Sequence, residues 1–153
     1  MGRHRTRRAF TLIELMVAVS ILSLAAAMLY PSYASTWQQA NDKTAIGLAD
    51  QLAANLQRYM GWTGTYPASL PATRGSGGWT SVIQALGTYA ELPSTIPPIL
   101  ASGNFQAYSN AAGSTFQIEF KASGGTGTAY CRAPNGLATI TWSDSAGPWT
   151  GCP

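Results

Sequence analysis

The sequence predicts an α+β chain. One long N-terminal α-helix, its apolar half protruding, packs its other half on a C-terminal antiparallel sheet of about four strands. Three observations predict this. Phe10 to Tyr30 is an apolar run of 21 residues. A stripe at helical spacing continues it to about Met60. The C-terminal third alternates apolar and polar residues at the period of a strand.

The apolar run is interrupted only by Glu14 and small hydroxyl residues. As a helix it spans roughly 31 Å, close to one bilayer core. Arg3, Arg5, Arg7 and Arg8 precede it and predict a cytoplasmic N-terminus. A secretory signal peptide is the plain alternative. Against it, the run exceeds a usual signal core, and Ala25-Ala26-Ala27 makes a poor cleavage site. The carboxylate is unexpected in a signal and in an anchor alike.

Those four arginines also account for the net charge of +3. Nine Lys and Arg stand in the whole chain; without the four, five face six acidic residues. The five, Lys43, Arg58, Arg74, Lys121 and Arg132, are scattered. A nucleic-acid footprint needs clustered basic residues on a folded surface, so nucleic acid is not a predicted partner. Charged residues are only 10% of the chain, a weakly charged composition common in exported proteins.

Beyond the run, Tyr33, Trp37, Ala40, Thr44, Leu48, Leu52, Leu56 and Tyr59 recur at spacings of three and four, with Ala45, Ala49 and Ala53 beside them. The pattern predicts a single helix from about Thr11 to Met60, ending at Gly61, roughly 75 Å long. The stripe is expected to be core. Pro31 cannot donate a backbone hydrogen bond and should kink the helix; Gly47 is a second weak point.

Gly61 to Asn104 reads as irregular. "GWTGTYPASLPATRGSGG" is a loop, its prolines excluding regular helix. A short helix is expected from about Trp79 to Tyr89, with Trp79, Val82, Ile83 and Leu86 as its apolar face. "NFQAYSN", "STFQIEFKAS", "AYCRA" and "GLATITWSDS" then read as strands. In the second, Phe116, Ile118 and Phe120 face in while Gln117, Glu119 and Lys121 face out; in the fourth, Ile140 and Trp142 alternate with Thr139 and Thr141.

Cys131 and Cys152 are the only cysteines. In an exported domain such a pair predicts a disulfide, closing the C-terminus onto a strand. Two free thiols or a metal pair are the alternatives. A metal needs more ligands, and the single histidine, His4, lies before the apolar run. Asp144 with Ser143 and Ser145 is too thin for calcium. Asp42, Asp50, Glu91, Glu119 and Asp144 form no paired acid–base arrangement, and Gly75, Gly77 and Gly78 lack the lysine of a phosphate loop. The sequence therefore predicts no enzyme, no cofactor and no metal.

"RAFTLIELMVAVSILSLAAAMLYPSY" resembles the N-terminus of type IV pilins and of their relatives, the type II secretion pseudopilins. The resemblance is dense over Arg8 to Tyr33. It implies a pilin fold, with residues 1–9 a cleaved leader, 10–30 a transmembrane and filament-core helix, and 31–153 a globular domain including the amphipathic half of the helix. A prepilin peptidase would cut between Ala9 and Phe10 and methylate the new Phe10 amine. Family leaders usually end in glycine; this one ends in Ala9. Glu14 matches the family's acidic position and Pro31 the proline after the first apolar stretch. The Cys131–Cys152 pair resembles the closed C-terminal loop of many pilins.

A carboxylate in hydrocarbon is unfavourable unless paired. Cleavage would create a partner, so Glu14 of one subunit could face the Phe10 ammonium of the next. Alternatively, Glu14 snorkels to the cytoplasmic headgroups. The partners implied are other pilin subunits, the prepilin peptidase and N-methyltransferase, the pilus assembly platform and the inner membrane before assembly. The implied role is a major or minor subunit of an extracellular type IV pilus. A type II secretion pseudopilin is one alternative. An adhesive or ligand-binding tip subunit, using Trp62, Trp79 and Trp149, is another.

Overall fold

The structure is a computed structural model that describes residues 10–68, 70, 75–100, 103–142 and 149–153. Its elements are α1 (Leu12–Thr63), α2 (Gly75–Leu86), short 3-10 turns at Gly87–Tyr89 and Pro98–Leu100, and strands β1 (Phe105–Ser109), β2 (Phe116–Lys121), β3 (Ala129–Ala133) and β4 (Gly136–Ile140). Two compact units meet at Thr36/Trp37, within α1.

In the first unit α1 is the one described element. It opens at Thr11 and runs through Pro31, whose ring nitrogen leaves the Ala27 carbonyl without its helical donor. Beyond the proline, the Ser32 carbonyl accepts from both the Ser35 and the Thr36 hydroxyls at 2.9 Å. No residue from Phe10 to Thr36 is buried.

In the second unit the strands form a sheet of order β1-β2-β3-β4, every neighbour antiparallel. Phe105 pairs with Phe120, Ala107 with Ile118 and Ser109 with Phe116, which puts the large apolar residues of both strands on one face. The 37–63 half of α1 meets them with Ala45, Ala49, Leu52, Ala53 and Leu56, at most 1% exposed. Alanine at three of these five positions brings the helix axis close to the sheet, and the aromatics fill the space beside it. Trp79, Val82 and Leu86 of α2 complete the layer, with the Trp79 ring edge-on to Phe105 at 5.3 Å. Trp79 Nε1 donates to the Pro93 carbonyl at 2.9 Å. Arg58 pairs with Glu91, and Arg132 Nε lies 2.8 Å from Asp50 Oδ1. The latter contact is Coulombic, since the Nε hydrogen is not aimed at an acceptor.

Several expectations need correction. Tyr33, Trp37, Ala40 and Thr44 do not join the core; Tyr33 is 69% and Trp37 60% exposed. Burial starts at Asp42, where the β2–β3 loop first reaches the helix; from there the expected stripe holds, with Leu52 and Leu56 buried beside Ala45, Ala49 and Ala53. The helix does not end at Gly61. It continues to Thr63, and Gly64, at φ +83°, donates to the Met60 carbonyl at 2.8 Å, a left-handed glycine cap. The short helix starts earlier than expected, at Gly75, and Gly87 at φ +55° turns its end into a 3-10 turn.

Glu119 faces away from α1 as the alternation requires, yet it is fully buried. The chain end covers that outer face. Trp149 N donates to Gln117 Oε1 at 2.7 Å, its ring meets Tyr108, and Cys152 is bonded to Cys131 beside Glu119. Glu119 accepts from Gln106 Nε2 at 3.3 Å. β4 is shorter than the stretch read as strand; it ends at Ile140, and 143–145 lie outside the described residues. Trp142 is half-buried, with Lys121 Nζ 6.0 Å from its ring centre.

Candidate functional site

The chemistry of the first unit rests on what its residues leave unsatisfied. Phe10, Leu12, Ile13, Leu15, Met16, Val17, Val19, Ile21, Leu22, Leu24, Met28 and Leu29 are all between 52% and 82% exposed. Water is a poor solvent for so continuous a surface, so lipid or other protein must cover it. Its backbone is satisfied within the helix up to Pro31. Its hydroxyls are satisfied too: Ser20 donates to the Met16 carbonyl and Ser23 to that of Val19, each at 2.8 Å. What remains polar is the N-terminal turn.

That turn is a capping box. Thr11 Oγ1 accepts from the Glu14 N–H at 3.3 Å. In return Glu14 Oε2 accepts from the Thr11 N–H at 2.9 Å and from the Thr11 hydroxyl at 2.8 Å. Thr-x-x-Glu ahead of an apolar run is the signature of this arrangement, in which orphan donors at the helix start are satisfied reciprocally. The carboxylate thus sits against the positive end of the helix, a favourable place for a negative charge. Sequence reasoning singled out Glu14 but missed Thr11 as its holder. Both bonds fall on Oε2, so Oε1 stays open to a further donor.

Phe10 stands next to this turn, 82% exposed. Ala9 lies outside the described residues. Pro31 is placed within α1, and Cys131 and Cys152 form a disulfide with Cα atoms 5.4 Å apart. Of the three tryptophans expected at an adhesive surface, Trp79 and Trp149 are buried in the globular unit; Trp62 is 75% exposed. Among the described residues no three His, Cys, Asp or Glu side chains gather as a metal site.

A second polar cluster went unread in the sequence. Asp42, 5% exposed, receives the Thr126 hydroxyl and, at 3.4 Å, the Thr126 N–H. Thr126 and Thr128 share a hydroxyl bond at 2.9 Å, and Asn41 Nδ2 donates to the Gly124 carbonyl at 3.0 Å. The glycine-rich β2–β3 loop is thereby tied to α1. Burial and the Asp42 charge raise the pKa of Tyr130; burial does the same for Tyr66. These groups hold the fold and form no reactive pair.

Residues 4–30 match the prokaryotic N-terminal methylation motif. No curated protein matches the chain closely. The matched span contains the capped carboxylate, the exposed apolar helix and the Ala9–Phe10 junction. At its N-terminus, then, the chain carries the type IV prepilin-like signature shared by pilins and pseudopilins.

Proposed function

We propose that the chain is a structural subunit, a major or minor pilin, of a type IV pilus. It enters the inner membrane as a prepilin with its N-terminus cytoplasmic. A prepilin peptidase cuts between Ala9 and Phe10 and methylates the new amine. The assembly platform then adds the subunit to the filament through its apolar helix. One observation carries this reading: a wholly exposed apolar helix whose single carboxylate is held at its first turn. Hydrocarbon leaves that charge uncompensated, whereas an ammonium on a neighbouring subunit would pair it. The Thr11 cap keeps Oε1 of Glu14 open for it.

The closed C-terminal segment favours a pilus over a type II secretion pseudopilus, since that loop resembles the pilin arrangement. Burial of Trp79 and Trp149 weakens the adhesive-tip alternative. Glu14→Ala tests the assembly role. The variant is expected to insert and to lose its leader, because a more apolar segment inserts at least as well and Glu14 lies beyond the scissile bond. It is expected to be retained in the membrane and depleted from sheared filaments, with Glu14→Gln impaired less. Wild-type amounts of Glu14→Ala in sheared filaments would refute the pairing.

A further inference from the structure

The aromatic residues of the described first unit lie only at its ends. Phe10 opens it, Tyr30 and Tyr33 stand at the other end, and no aromatic lies between. The tyrosines are three residues apart on α1, so they share a face, and they are 75% and 69% exposed. Neither ring has a core to enter. Between them is Pro31, and the hydroxyls of Ser32, Ser35 and Thr36 follow at once.

Spacing relates this end to the other. Along a helix, Tyr30 lies about 24 Å and Tyr33 about 28 Å from Glu14. A hydrocarbon core is about 27–30 Å thick. The amphipathic rings and the hydroxyls of Ser32, Ser35 and Thr36 thus coincide where the bilayer would end.

We propose that Tyr30 and Tyr33 are a membrane-interface anchor. They dock in the headgroup layer of the outer leaflet of the inner membrane and hold the subunit at the depth where Glu14 reaches the opposite headgroups. The occupant of this helix face is phospholipid, at the boundary of headgroup and acyl chain, where tyrosine rings are favoured. The anchor acts both before and after processing. Leader removal takes away Arg3, Arg5, Arg7 and Arg8, and the tyrosines remain to fix the depth at which the subunit awaits extraction. The proposal rests on reading Phe10–Tyr30 as membrane-inserted.

The native cysteines are bonded to each other, so one introduced cysteine takes a nitroxide label selectively. The full chain, with Ser35→Cys or separately Val19→Cys, is placed in phosphatidylethanolamine/phosphatidylglycerol vesicles. The label's collision rates with oxygen and with a water-soluble nickel chelate are compared. Oxygen is expected to dominate at Val19 and nickel at Ser35. Tyr30→Leu with Tyr33→Leu lengthens the apolar run and removes the rings. It is expected to raise the oxygen-to-nickel ratio at Ser35 by about twofold or more, as the helix sinks. Tyr30→Trp with Tyr33→Trp is expected to restore it. An unchanged ratio at Ser35 in the leucine variant, with Val19 still in lipid, overturns the anchor alone. Nickel dominating at Val19 in the native-tyrosine chain overturns the membrane reading beneath it.

Discussion

Residues 10–36 and residues 37–153 use apolar side chains in opposite ways. The first stretch buries none of them, although it is the most apolar part of the chain. The second buries Trp79, Phe105, Phe116, Ile118 and Phe120 completely and, among its described residues, exposes few large apolar groups, Trp37 and Trp62 among them. Polar residues diverge too. Asp42 and Glu119 are buried and hydrogen-bonded in the second stretch, whereas Glu14 is held by its own helix turn in the open. Residue identity in the second stretch answers to its own core. In the first it answers to a surrounding the chain does not supply, which the proposed function makes lipid and then other subunits.

The comparison is most easily broken by truncating a side chain in each region. Trp79→Ala is expected to cost about 3–5 kcal/mol of the globular unit's stability, through lost burial and the cavity left against Phe105. Leu22→Ala is expected to leave that stability unchanged, since Leu22 is 68% exposed. Denaturant unfolding of both variants in detergent, followed by circular dichroism, measures the contrast. Equal losses would mean that the two stretches share a core.

Next in size is the disulfide. Cys131 and Cys152 are 21 residues apart and tie the chain end across the outer face of the sheet. Chain-entropy reasoning puts the link at about 3 kcal/mol for a loop of that length. Cys131→Ala with Cys152→Ala, or reduction of the native chain, is expected to lower the melting temperature of the globular unit. Membrane insertion is expected to be unaffected.

A smaller effect is expected at Asp42. Asp42→Ala leaves the Thr126 donors without their buried acceptor, at a cost of about 1–3 kcal/mol. Gly125→Ala tests the same tie from the loop side: its Cβ would stand 2.1 Å from Asp42 Oδ1 and 2.8 Å from Ala122 Cβ, so the loop must move. Hydrogen exchange in the β2–β3 loop is expected to quicken in both variants. Unchanged exchange would show that the loop is placed by the strands alone.

Where the sequence repeats a period, it was readable. Alternation marked the second and fourth strands, and the apolar run with its leader marked the N-terminal helix. Aperiodic contributions were not readable. Tyr66, Leu70 and Leu100 enter the core from segments that prolines mark as irregular. Tyr66 is drawn in by its bond to the Gly113 carbonyl at 2.8 Å, and Leu70 by its bond to Ser109 Oγ at 2.8 Å. Alternation assigned Glu119 to the outer face but could not say that the chain end would cover it. The helix stripe was legible from Ala45 onward, but its start was not: Tyr33 and Trp37 keep the helical spacing yet stand where no sheet covers them. At the functional end, Glu14 stood out because a charge in an apolar run is conspicuous. Thr11 did not, although a capping box can be read from Thr-x-x-Glu alone.

The central claim is that residues 10–36 serve two solvents in turn, lipid before assembly and other subunits after it. Intact-mass and N-terminal sequencing of chains recovered from sheared surface filaments, alongside chains left in the membrane, tests it most directly. The account predicts that filament chains begin at N-methylated Phe10 and keep the whole apolar helix, while any chain still carrying Met1 to Ala9 stays in the membrane. Filament chains that retain the leader, or that begin near Ala27 without the helix, would contradict it.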